Sequence, residues 1–307
     1  MSQDLNSKDL NSKAEAFAEL HKGPGAFVIP NPWDIGSTQI LTGMGFKALA
    51  TTSAGYAFSQ GLKDAAVSRD MMLAHAGELA AATHLPVSAD LENGYGDSPE
   101  EAAETIRLAT ATGLVGASIE DFSGGPNGII YDFNLTVERI EASVTAARTA
   151  DFPFVLTARA EGFIRGKPDL DDAIRRLQAF EAAGADVLYA PGLPNLDAIR
   201  TVCQSVNKPV NVVMGLSGSD MTTQQLAAAG VRRISVGAVL ARVALGAFMS
   251  AAKEMQTGSY TFIDNAASFA DISQYISTSV GPGIRNHDSE TLLRPLYVLR
   301  DIGRGNG

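Results

Sequence analysis

The sequence predicts an α/β protein folded as a (β/α)8 TIM barrel with extra C-terminal helices. Three observations lead there. Eight short apolar runs recur along the chain, at 26–30, 47–52, 86–90, 116–120, 154–159, 187–191, 209–214 and 233–237. Between them lie Ala- and Leu-rich stretches with helical period, roughly 20 residues each. Several stretches stop at a glycine just before the next run, as in Met44-Gly45-Phe46, Thr112-Gly113 and Ala183-Gly184-Ala185. Eight evenly spaced βα units without a long insertion favour closure over a doubly wound open sheet.

Taken in order, residues 1–22 read as an N-terminal helix and tail, 23–257 as the barrel and 258–307 as a C-terminal helical extension. The tandem DLNSK-DLNSK is too short to be a structural repeat. Ser12-Lys13-Ala14-Glu15 has capping-box spacing ahead of a short helix to about His21. After the eighth run, Ala238 to about Glu254 reads as one long Ala-rich helix and Phe262 to Ile276 as another, with a Gly-rich end trailing into solvent. Phe248, Met249, Phe262, Phe269 and Tyr275 are more apolar surface than a barrel ringed by its own helices can cover, so a homo-oligomer, a dimer or tetramer, is expected. Packing back onto the same barrel is the alternative.

Composition excludes several classes. Acids outnumber bases 34 to 24, giving a net charge of −10 without a Lys/Arg cluster, which disfavours nucleic acid and anionic membrane as partners. No apolar run reaches the roughly 18 residues of a membrane span, and MSQDLNSKDLNSK lacks a signal peptide's apolar stretch. The single cysteine, Cys203, cannot form an internal disulfide and reads as a small buried hydrophobe. A cytoplasmic protein is expected.

In such barrels the working residues stand at the C-terminal ends of the strands. Val87 to Phe122 holds a βαβ unit in which Asp90, Glu92 and Glu120 fall on one rim. Three carboxylates there repel one another unless a hard cation holds them, which points to Mg2+, with Mn2+ as a substitute. The other strand ends contribute Asn31, Trp33, Asp34, Ser53, Ala54, Gly55, Asp121, Glu161, Tyr189, Asn211, Ser235 and a single arginine, Arg159. No histidine or cysteine falls on this rim: His21 and His75 lie in helices, His84 at the wrong end of one, and His287 in the tail. Chemistry is therefore expected from metal, carboxylates, Arg159 and hydroxyls. Arg159 offers a planar fork for a carboxylate. Ser53 with the amides of Ala54 and Gly55 offers a small anion nest. Asn31 and Asn211 are rim amides that could orient substrate. Each has a plain structural alternative: Arg159 bridging Glu161 or Glu120, Ser53 as a turn residue, Asn31 and Asn211 as loop caps, Tyr189 as packing.

SADLENGYG at 88–96, the SIED that follows and TARAEGF at 157–163 together resemble the isocitrate lyase/phosphoenolpyruvate mutase superfamily, over about Asn31 to Met214. The corresponding residues are Asp90, Glu92, Glu120, Arg159 and Ser53-Ala54-Gly55, and GLKD at 61–64 is similar to the family's Asp-bearing segment, with Asp64 as a metal-side or catalytic partner. The resemblance implies a Mg2+-dependent enzyme that breaks a C–C bond in a small 2-oxo or 2-hydroxy acid, of oxaloacetate or substituted-malate type, through an enolate. It also implies a tetramer built by exchange of C-terminal helices. The strand-4 loop, FSGGPNGIIYD, lacks the Lys-Lys-Cys-Gly-His-type segment of the family's lyases, which directs the reading away from isocitrate and methylisocitrate. Only Asn127 matches the polar residues of the phosphonate enzymes, so P–C chemistry on phosphonopyruvate is the second reading. From another class, GLSGSD at 215–220 could make a phosphate-binding barrel, or the acids could belong to an inactive scaffold.

Overall fold

The computed structural model describes residues 2–216 and 220–276. All eight predicted strands form: β1 Phe27–Ile29, β2 Leu49–Ala50, β3 Val87–Asp90, β4 Gly116–Glu120, β5 Val155–Arg159, β6 Val187–Tyr189, β7 Val210–Val213 and β8 Arg233–Ser235. They pair in parallel in the order β1-β8-β7-β6-β5-β4-β3-β2. At the remaining seam the Ala50 amide donates to the Pro30 carbonyl at 3.1 Å and Asn31 Nδ2 to the Thr51 carbonyl at 2.9 Å, which draws the ring almost shut. The helices are α1 Ser2–Leu20, α2 Ile35–Gly43, α3 Ser53–Ser59, α4 Arg69–Ala81, α5 Pro99–Ala109, α6 Phe133–Ala147, α7 Leu170–Ala182, α8 Leu196–Ser205, α9 Thr223–Ala228, α10 Val239–Gln256 and α11 Phe269–Ser273.

Strand alternation divides the core in two. Outward residues such as Val87, Ala89, Leu156, Leu188, Val212 and Ile234 pack under the helices. Inward residues Ile29, Val155 and Val187 join Ala14 and Phe17 of α1 in a second apolar cluster inside the barrel. Helix α1 thus seats in the N-terminal opening. Gly116 makes room for it: a Cβ there would lie 2.7 Å from the Val155 carbonyl oxygen and 3.0 Å from Phe17 Cε1. Since a backbone oxygen cannot step aside, Gly116→Ala is expected to cost about 1–3 kcal/mol, measured by urea denaturation; an unchanged midpoint would show that the opening can relax.

Two sequence expectations are corrected. Helix α1 begins at Ser2, so Ser12 lies inside it and caps nothing; no Gly or Pro interrupts the two DLNSK copies. The predicted 262–276 helix is two pieces, a 3-10 turn at Thr261–Asn265 and α11. Ala266 is extended between them and Ser268 restarts the helix through a capping box with Asp271, so a polar cap rather than a Gly or Pro makes the break. The long helix after β8 forms as expected, but Ala241 is its one buried residue, while Phe248 and Met249 are exposed and Phe269 on α11 is 92% exposed. Phe262 and Tyr275 are half-buried. The Gly-rich end, His287 and residues 217–219 of GLSGSD lie outside the described residues. Among those described, no helix is long and apolar enough to cross a membrane.

Candidate active site

Parallel pairing sets Asp90 beside Ser118, and Glu120 beside Arg159. The side chains of β3, β4 and β5 therefore meet at one rim, with Arg159 at the centre. Its Nη1 donates to Asp90 Oδ1 at 2.8 Å, its Nη2 lies 2.9 Å from Glu120 Oε2, and Nε and Nη2 donate to Glu161 Oε1 at 3.0 and 2.8 Å. The fork that the sequence suggested for a substrate carboxylate is thus filled by three protein carboxylates. Burial works against its charge, yet Glu161, Glu120 and Asp90 together hold it firmly protonated.

Asp90 is fixed from its other side. Ser53 donates to Asp90 Oδ2 through both its hydroxyl, at 2.8 Å, and its amide, at 3.2 Å. The Ser53-Ala54-Gly55 segment is the first turn of α3 rather than a loop, with Thr52 as N-cap accepting the Gly55 amide at 3.3 Å. Two groups of the expected nest are therefore already engaged. Glu92 follows β3 with φ +48°, a left-handed conformation rarely held by a side chain other than Gly, Asn or Asp. Buried Arg139 of α6 enforces it by donating to the carbonyls of Asn93, Gly96 and Ser98.

This turn aims Glu92 into the rim, where its Oε1 is buried without a protein partner among the described residues. Burial, then Asp90 and Asp64, push the Glu92 carboxyl up to about 7. Burial and Glu161 likewise raise Glu120, against the pull of Arg159. Asp64, at the exposed mouth, is raised by partial desolvation and by Asp90.

The rim opens into a cavity of about 370 Å3 whose lining includes Asp64, Asp90, Glu92, Glu120, Arg159, Tyr189 and Asn211. Asn211 serves structure there, donating to Ser235 Oγ at 3.0 Å and accepting from Arg233 Nε at 2.9 Å. Asn127 is exposed and lies outside the cavity lining. Arg159 is not the lone rim cation. Arg165 stacks on Phe122, 3.9 Å from the ring centre, with Nη2 3.5 Å from Glu120 and 3.3 Å from Glu161. Its signal was the Glu161-to-Arg165 spacing of four residues. Arg242, in the first turns of α10, also lines the cavity, and no ion pair engages it among the described residues. Val213, Val236 and Val239 form an apolar wall on the β7–β8 side. Asp121 is structural: it accepts the Glu161 amide at 2.7 Å and pairs with buried Arg176 at 3.2 Å.

A divalent cation suits this donor set. Among the described residues, Asp64, Asp90, Glu92, Glu120 and Glu161 face only Arg159 and Arg165 in the cluster, and Glu92 keeps an orphaned buried oxygen. Among the described residues no three acids, histidines or cysteines form a closed cage, and Glu120 is turned to the two arginines. Mg2+ needs no cage, since it retains several waters and takes one or two carboxylates.

The family profile described as phosphoenolpyruvate phosphomutase matches residues 17–256. A crystal structure from Burkholderia cenocepacia J2315, provisionally described as a lyase/mutase, is 55% identical with a TM-score of 0.84, covering 87% of this chain and 96% of that one. A 2-methylisocitrate lyase of Halalkalibacterium halodurans is 27% identical over 249 residues, 78% of this chain and 81% of its own. A crystal structure of 2,3-dimethylmalate lyase is 25% identical with a TM-score of 0.75, covering 86% of this chain and 91% of that one. On the extent of the profile match and of these likenesses, the chain belongs to the phosphoenolpyruvate phosphomutase family.

Proposed function

We propose that the protein is a Mg2+-dependent carbon–carbon lyase or hydrolase for a small 2-oxo or 2-hydroxy diacid of oxaloacetate or substituted-malate type, with Mn2+ as a substitute ion. The observation that carries this reading is the Asp90–Arg159–Glu120 rim, rich in acidic side chains, at the edge of a cavity lined by Arg242, which no ion pair engages among the described residues, and by an apolar wall. Asp90 and Glu92 would hold the ion, with Asp64 and Glu120 contacting it through water. When bound, the ion supplies a Lewis-acid counter-charge for an enolate oxygen.

The protein's own groups do the rest. Arg159 aims the Asp90 and Glu120 carboxylates, and Ser53 fixes the second oxygen of Asp90. The amide of Ala54, beside Ser53, and Arg242 both line the cavity and can take substrate carboxylates. Val213, Val236 and Val239 exclude water from the carbon bearing the breaking bond and accommodate an alkyl substituent.

Turnover of oxaloacetate and of alkyl-substituted malates tests this, following oxo-acid release with and without chelator. Asp90→Asn is expected to lower kcat/KM by about 10^2–10^3-fold, and chelation is expected to abolish turnover until Mg2+ is restored. Equal rates for wild type and variant would end the reading. The family profile itself favours a second reading, P–C bond chemistry, which phosphate release from phosphonopyruvate would reveal. The exposed face of α10 and α11 is the natural interface of a homo-oligomer, with the terminal helices exchanged between subunits of a dimer or tetramer. Half-buried Cys203, its thiol pushed up to about 11 by burial, fits a reducing cytoplasmic location.

A further inference from the structure

Arg233 begins β8 and points into the barrel, one layer below Ser235. It is 5% exposed, and everything that holds it is neutral. Its Nε donates to Asn211 Oδ1 at 2.9 Å and its Nη2 to Thr157 Oγ1 at 2.9 Å, while Nη1 stands 3.4 Å from His21 Nε2. His21 Nδ1 lies 2.8 Å from the Phe17 carbonyl oxygen, a contact only an N–H can make, so Nε2 is the bare acceptor nitrogen. No carboxylate among the described residues pairs with Arg233; of the ionisable groups that act on it, Tyr189 is a phenol that favours its charge and Arg159 is a guanidinium of the same sign. The acids of the rim are drawn to Arg159 and Arg165 instead.

A guanidinium buried without an anion is rare, because its desolvation is left uncompensated. The three contacts use one N–H on each nitrogen and leave one on each of Nη1 and Nη2. The cavity reaches this group and passes the hydroxyls of Ser88, Ser118 and Ser235 on the way. A single positive charge with two spare donors and neutral hydroxyls suits a small monovalent anion; a phosphate dianion would need a second cation.

We infer that the cavity floor is an anion site, in which Arg233 and the neighbouring serine hydroxyls hold a halide or a compact carboxylate beneath the rim. It does not depend on the lyase reading, and its test does not use turnover. The full chain is held at fixed ionic strength in gluconate, a bulky hydroxylated anion, and chloride, bromide or acetate replaces it stepwise. Wild type is expected to show a saturable rise in Tm of about 2–4 °C, absent in Arg233→Met. A response to halide and acetate alike marks a general monovalent site, and a response to acetate alone marks a carboxylate site. Bromide-soaked wild-type crystals, which decide even where the variant fails to fold, are expected to show an anomalous peak within about 3.5 Å of the Arg233 guanidinium, unless acetate alone raised Tm. A flat Tm in every anion overturns the proposal, as does bromide found at the cavity mouth and not at Arg233 when halide raised Tm.

Discussion

Arg159→Met is expected to destabilise the protein by about 3–5 kcal/mol, because it leaves three carboxylates gathered in a dry rim with their shared cation gone. Asp90, Glu120 and Glu161 all contact that guanidinium at 2.8–3.0 Å, and Glu161 is fully buried. Part of the loss is recoverable by protonation, since burial already holds Glu120 above the ordinary carboxylate range. The variant should therefore lose less stability at pH 5 than at pH 8. Arg159→Lys should fall between, as one ammonium cannot serve Asp90, Glu120 and Glu161 in the geometry of a planar fork. Arg165→Met is the control: its side chain is 34% exposed and its contacts longer, so screening keeps its cost below about 1 kcal/mol. Urea denaturation of the three variants at pH 5 and 8 decides. If Arg159→Met and Arg165→Met cost the same, the rim does not depend on a central cation.

The order of the barrel was legible because its causes are local. Apolar runs of strand length, helical spacing between them and glycine stops gave all eight strands, with Gly116–Glu120 matching at both ends. The helix ends that escaped were set by side-chain caps and by the absence of breakers, as at Ser268 and Ser12. The acids were legible too, since β3 and β4 carry them at their C-terminal ends. What could not be read was who answers each charge. Arg159 read either as a substrate fork or as a bridge to Glu161 or Glu120, and the sequence could not show that Asp90 joins both of them on one guanidinium. Arg165 and Arg242 lie beyond strand ends, in a loop and in a helix turn, where spacing carries little about direction. Arg139 and Arg176, which hold the Glu92 turn and Asp121 from behind, sit in helices that otherwise read as ordinary amphipathic surface.

His21 is the second group whose burial should dominate a measurement. The folded protein lowers its pKa from 6.5 to about 3, through burial first and Arg233 next, against the Phe17 carbonyl. The unfolded chain therefore takes up the proton first as the solution is acidified. The stability contributed by neutral His21 is complete above about pH 6.5 and is lost progressively as pH falls toward 3, on the order of 5 kcal/mol at the limit. The raised carboxyls of Glu92, Glu120 and Asp121 slope the opposite way, so the effect must be read as a difference. Comparing wild type with His21→Gln, the stability gap is expected to close by up to about 1.4 kcal/mol per pH unit between pH 6 and 4. A gap that stays constant would mean that His21 charges as freely in the folded protein as in the unfolded one. The structural consequence is local. Protonated Nε2 would face the Arg233 guanidinium, two cations with no acid between them among the described residues, at the point where α1 enters the barrel. Amides of residues 14–21 should then exchange with solvent at pH 4.5 faster than those of β4 and β5, because the proton expels α1 from its seat before it unfolds the sheet.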